Sequence, residues 1–126
     1  MEEYCHVCGS NQVELHHIIK RSKVPALRDC KKNFIYLCPE HHRGTRGVHG
    51  KNGQTLEREL RLKFQNKLEM LFDSRYLIYT EIKCVLEIND KSLKGLLKCV
   101  KQEHGFYERE SLLIACMGGK LEVADE

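Results

Sequence analysis

The segment LCPEHHRGTRGVHG, residues 37–50, gathers a cysteine, three histidines and two arginines into one short span. Thiolates and imidazoles at this density act as metal donors, because unliganded thiolates on a loop cost stability and invite oxidation. Their partners stand near the start of the chain. There Cys5-His6-Val7-Cys8-Gly9 sets two thiols apart by two residues, with a glycine that lets the backbone turn beneath the sulfurs. Cys38-Pro39-Glu40-His41 repeats the gap. Cys5, Cys8, Cys38 and His41 thus form a closed four-donor set of the kind that holds a structural Zn²⁺ and supplies folding free energy to a small domain. His16, His17, His42 and His49 remain outside that set. On a strand, His16 and His17 face opposite sides, so one can meet a metal while the other meets a substrate. His42 directly follows His41 and projects in a different direction.

The elements that must position these groups can be read from pattern. Residues 13–19 (VELHHII) and 34–38 (FIYLC) are short runs of strand character. Thr55 is the expected N-cap of an amphipathic helix in which Leu56, Leu60, Phe64, Leu68, Leu71 and Phe72 recur at helical spacing. From Ser74 onward, short helical patterns broken at Asn89-Asp90, His104-Gly105 and Gly118-Gly119 predict a compact all-α module.

Composition bounds the function classes. The chain has 126 residues, 41% of them hydrophobic and 31% charged, which suits one domain or two small ones and excludes fibrous and disordered classes. No apolar run reaches membrane-spanning length, and MEEYC does not open a secretory signal, so the expected location is the cytoplasm. Seven cysteines in a reducing compartment point to metal rather than disulfides. Cys30, Cys84, Cys99 and Cys116 have no partner at ligand spacing, and the last three are expected as small buried apolar side chains. Between Gly9 and Gln54 nine basic residues face three acids, although the whole chain carries only +3. That local basic field favours a polyanion.

Taken together, the motifs Cys5-x-x-Cys8, Leu15-His16-His17-Ile18, Lys32-Asn33-Phe34-Ile35-Tyr36-Leu37-Cys38 and Pro39-Glu40-His41-His42 closely resemble the HNH nuclease family and its ββα-metal fold, in particular the small HNH proteins of phages and prophages. The resemblance covers about the first fifty residues. It implies that His17 is the general base, that Asn33 fixes the loop between the strands, and that His16 and His42 ligate one catalytic divalent cation. His16 stands where many relatives carry an aspartate, a softer donor choice that admits Mn²⁺, Ni²⁺ or Zn²⁺ as well as Mg²⁺. Where some relatives have a further histidine this chain has Arg46, so a third ligand is either His49 or water. Arg43, Arg46 and Lys51 are candidate phosphate contacts.

The sequence from Thr80 to Lys98 has the layout of a helix-turn-helix. Ile82, Val85 and Leu86 form one inner face, Ile88 plugs the turn, Leu93, Leu96 and Leu97 form the other, and Lys91, Lys94 and Lys98 look outward towards nucleic acid. From Arg61 on, basic and acidic residues balance at eleven each, so a packing or dimerisation role stands beside DNA reading. The expected class is α+β: a zinc-stabilised ββα-metal nuclease domain over residues 1–54, a connecting helix over 55–73 and the helix-turn-helix-like module over 74–126. The expected function is metal-dependent hydrolysis of DNA phosphodiester bonds, by nicking or double-strand cutting. The alternative is a non-catalytic zinc-stabilised DNA-binding or phage regulatory protein. Besides DNA, the partners considered are a second copy of the chain and a phage or host protein.

Overall fold

A computed structural model describes residues 3–45, 47–50 and 53–123. Two of the expected phosphate contacts, Arg46 and Lys51, lie outside the described residues.

The Cys/His-rich half is built on an antiparallel hairpin of β1 (Glu14–His17) and β2 (Phe34–Leu37), with Leu15 opposite Tyr36 and His16 opposite Ile35. The long connection between these strands contains two 3-10 turns, Pro25–Leu27 and Lys31–Asn33. It is pinned from inside by the fully buried Asn33, whose Oδ1 accepts from the Ile19 amide at 2.7 Å and whose Nδ2 donates to the Ile19 and Leu27 carbonyls at 3.1 and 3.3 Å. Satisfying three backbone groups through one side chain lets a loop without ladder bonds run through the interior. Strand β2 passes through Cys38 into the short helix α1 (Pro39–Arg43), whose first position is a proline with φ already set for a helix.

After α1 the chain returns through successive turns in which Gly47 bonds back to Gly44, Gly50 to Gly47 and Gly53 to Gly50. A Cβ at Gly50 would sit 1.7 Å from the Gly44 carbonyl oxygen, and one at Gly53 would sit 1.6 Å from that of Gly47, so no other residue fits either place. Helix α2 (Gln54–Leu71) starts one residue before the expected N-cap. Gly53, arriving from the turns, takes the cap position and accepts the Glu57 amide, leaving Thr55 inside the helix. Leu60, Phe64 and Leu68 are buried as the periodicity predicts, whereas Leu71 is exposed and Phe72 turns into the core.

The final stretch is not all-α. Strands β3 (Tyr76–Leu77), β4 (Gln102–Glu103) and β5 (Phe106–Glu108) form an antiparallel sheet in the order β3-β5-β4, around helices α3 (Tyr79–Leu86), α4 (Asp90–Leu97) and α5 (Arg109–Cys116). Strands of two or three residues are too short to display alternation, which is why the sequence pattern hides them. The turn at His104-Gly105, with φ of 52° and 83°, has both central residues left-handed, the geometry that closes a tight hairpin. Helices α3 and α4 are joined by a short turn in which Ile88 is buried and Asn89 Oδ1 accepts the Ser92 amide at 2.8 Å. Ile82, Leu86, Leu93, Leu96 and Leu97 are buried as expected. Of the three cysteines expected inside, only Cys116 is buried; Cys84, on α3, and Cys99, in the turn after α4, are exposed. Cys30, for which the sequence carries no burial expectation, is buried in the core.

The hydrophobic core is one cluster running from Cys5 to Met117 through both halves. Helix α4 packs on the 3-10 turn Pro25–Leu27, and Arg109 donates to the Phe72 and Glu69 carbonyls, tying α5 to the end of α2. Among the described residues no helix is long and apolar enough to cross a membrane. Because the core is shared, Leu93→Ala, at a fully buried position in α4, should cost about 3 kcal/mol. Urea unfolding followed by far-UV circular dichroism and tyrosine fluorescence should show both probes shifting together in a single transition.

Candidate metal and catalytic site

The knuckle at the N-terminus is a turn in which the Gly9 amide bonds to the Cys5 carbonyl at 2.9 Å, with Gly9 itself at φ 77°. The His6 amide fastens it to the Tyr36 carbonyl of β2. Cys8 Sγ and Cys38 Sγ lie 3.7 Å apart, Cys5 Sγ lies 3.7 Å from His41 Nδ1, and Cys38 Sγ lies 3.2 Å from the same nitrogen. A tetrahedron with metal–sulfur bonds of ~2.3 Å has edges of ~3.8 Å, so the four donors fit a structural metal such as zinc. Their electrostatics agree. Burial opposes ionisation of Cys5, but amide hydrogen bonds around it, from Cys38 first, outweigh that and bring its thiol to about 6. The Ser10 amide favours ionisation of Cys8, yet burial and the neighbouring Cys5 and Cys38 thiols together push it up. One thiolate forms readily and the next is resisted, a conflict that a bound cation removes.

On the far side of the hairpin a second donor group converges from three elements. His16 comes from β1, His42 from α1 and His49 from the glycine-turn loop, and their ligating nitrogens lie within 4.8 Å of one another. The His49 amide donates to the His42 carbonyl at 2.9 Å, which brings the loop back over α1. Burial, reinforced by the charges of His49 and His42, lowers the His16 imidazole to about 4, so at neutral pH its lone pair is free to bind a cation. Burial lowers His49 as well. His42 is oriented by Glu14, whose Oε1 lies 2.8 Å from Nδ1. An ionised carboxylate only accepts, so Nδ1 carries the proton and Nε2 is the nitrogen left to act as a donor to a metal. Hydrogen bonds from His42 and then Arg43 hold the Glu14 carboxyl below its ordinary range. Arg43 contributes Nη2 at 2.7 Å and Nε at 3.1 Å, a two-pronged grip.

His17 faces the other side of β1. Its Nε2 lies 2.9 Å from the Arg28 carbonyl oxygen, which again can only accept. Nε2 is therefore the protonated nitrogen and Nδ1 the basic one. The ring rests edge-on against Phe34 with centroids 5.1 Å apart. His16, His17, His42 and His49 line one open pocket of about 530 Å³, together with Lys20 and Arg21.

Among the residues singled out from sequence, the fold gathers the four zinc-type donors in one place and the other histidines in another, while Asn33 lies beneath the loop. Arg43 is engaged with Glu14 rather than standing free. Lys91 and Lys94 on α4 and Lys98 at its C-cap are exposed and do not line the histidine pocket. Glu14, Lys20, Arg21 and the Arg28 carbonyl are members that sequence reasoning missed. Period-two spacing carries a signal for Glu14, which shares a strand face with His16. Nothing local marks Arg28, because its role runs through a backbone atom. No protein-family model, curated protein or solved structure matches the chain.

The Glu14–His42 contact has the form of the outer contacts that orient metal-binding imidazoles. Glu14→Gln should therefore weaken Mn²⁺ or Ni²⁺ binding at the histidine cluster about tenfold, measured by titration calorimetry on zinc-loaded protein. Zinc content, measured by metal analysis of the same sample, should not change.

Proposed function

We propose that the chain is a metal-dependent DNA endonuclease of the HNH type. The observation that carries this reading is the placement of His17 against the Arg28 carbonyl. Its Nε2 is engaged by the Arg28 carbonyl, its Nδ1 is left basic, and it opens on the same pocket as three histidines that can hold a cation. A zinc module that only bound nucleic acid would have no use for a basic nitrogen beside a second donor cluster. Asn33 is the positioning residue: it fixes the loop that supplies the Arg28 carbonyl.

In this reading His16, His42 and His49 hold the divalent cation, and Mg²⁺, Mn²⁺, Ni²⁺ and Zn²⁺ are the candidates. When bound, the ion supplies Lewis-acid stabilisation of charge on the scissile phosphate and the departing 3′ oxygen. His17 Nδ1 takes a proton from a water molecule as that water's oxygen bonds to phosphorus. The P–O3′ bond breaks, and the leaving oxygen acquires a proton from solvent. Lys20 and Arg21, at the pocket edge, offer charge to the phosphates on either side. Arg43 acts indirectly, through Glu14 and His42.

The second reading, a zinc-stabilised DNA-binding or regulatory protein without catalysis, draws on Lys91, Lys94 and Lys98, which stand exposed along and just past the second helix of a helix-turn-helix. Incubation of supercoiled plasmid with Mg²⁺, Mn²⁺ or Ni²⁺ separates the two. The expected result is conversion to nicked or linear DNA, abolished by chelation and reduced about 10²- to 10⁴-fold in His17→Ala. Folded, zinc-loaded protein that binds DNA and cuts none with any of these ions would establish the second reading.

A further inference from the structure

Beside the histidine pocket lies a larger depression, a groove of about 1050 Å³ between the turn Pro25–Leu27, α4 and α5. The two depressions are lined by consecutive stretches of the chain. Lys20, Arg21 and Ser22 line the pocket, while the next residues, Lys23 to Ala26, line the groove. Arg28 lines the groove, and its backbone carbonyl is the partner of His17 Nε2.

Two independent features indicate what the groove receives. The first is charge. Lys23, Arg28, Lys91 and Lys101 surround it; Lys101 is paired with Glu108 and Arg28 with Asp29, whereas Lys23 and Lys91 are in no ion pair among the described residues. Glu110 is the one further acid on the lining. The second is Gly95, in the middle of α4 and facing the groove. A mid-helix glycine costs stability relative to alanine, yet a Cβ there would meet nothing within 4 Å. Packing within the chain therefore does not account for this glycine, whereas close approach of another backbone does.

We infer that the groove is a second nucleic-acid contact, in which one strand of the DNA entering the histidine pocket lies along Lys23, Arg28 and Lys91. The inference rests on the nucleic-acid reading above and deepens it. The helix-turn-helix and the nuclease pocket hold one duplex jointly, and because α4 is packed on the turn Pro25–Leu27, the offset between grip and cut is set by the fold. Lys91 serves this contact from the groove side of α4, while Lys94 and Lys98 project beyond it.

The test is fluorescence anisotropy of a labelled random-sequence DNA duplex titrated with the full-length, zinc-loaded protein across a range of salt concentrations. Lys23→Glu should weaken binding about tenfold and flatten the salt dependence by about one unit of log–log slope, as expected for the loss of a phosphate contact. Gly95→Leu fills the groove without changing charge; it should also weaken binding about tenfold while the thermal midpoint of the protein does not fall. Losses in both variants support the inference. Any other pattern overturns it: loss in Lys23→Glu alone means charge acting from a distance, and parental binding in both leaves the groove to a protein partner. Hydrolysis of bis(p-nitrophenyl) phosphate by the parent protein reports the histidine pocket alone. Its absence counts against the nuclease reading and leaves the binding result standing.

Discussion

Everything in the first half of the chain depends on four donors from separate segments meeting at one point. Cys5 and Cys8 sit on a turn with no secondary structure around it, and Cys38 and His41 sit where β2 becomes α1. Without a cation to hold them, crowded sulfurs resist ionising together, and the N-terminal turn would have only its bonds to β2 and a few buried side chains to keep it in place. With one bound, the hairpin gains a cross-link spanning some thirty residues. The start of α1 is thereby fixed relative to β1, and His42 stands in reach of Glu14 and His16.

The site is organised by acceptors that cannot donate. A carboxylate beside His42 and a backbone carbonyl beside His17 each assign a proton to one ring nitrogen, leaving the other nitrogen with its lone pair. Adjacent residues on one strand, His16 and His17, thus receive different environments: a buried one in which the charged form is disfavoured, and an edge position anchored by a loop. That division follows from the two-residue period of a strand, and the fully buried Asn33 maintains it by keeping the intervening loop closed.

What is legible in the sequence is whatever residue type and short-range spacing encode. The two Cys/His pairs, the opposed faces of His16 and His17, the buried positions of α2 and the inner faces of α3 and α4 all follow from periods of two or 3.6 and from ligand gaps. The β3-β5-β4 sheet escapes such reading because each strand is shorter than the pattern that would reveal it. Cys84 and Cys99 depart from expectation because cysteine is small and apolar enough for either environment, and only position decides: Cys84 is out of phase with Ile82 on α3, and Cys99 lies past the end of α4. Arg43 is legible as a basic residue, but its pairing is not, because its partner Glu14 is 29 residues away. The continuous core is hidden for the same reason: contacts such as that between α4 and Pro25–Leu27 join distant parts of the chain.

The adjacency of His41 and His42 has a consequence for the order in which the molecule is assembled. Thiolate-rich donor sets hold zinc far more tightly than clusters of neutral imidazoles hold most divalent ions. On the proposed reading, the first ion to arrive would be taken by the cysteine cluster, which holds the start of α1 and with it His42. In that reading, capture at one site prepares the other, and the two occupancies would be linked through a single peptide unit. On the proposed reading, a newly made chain short of zinc carries no half-built nuclease centre, and hydrolytic competence waits on completion of the scaffold.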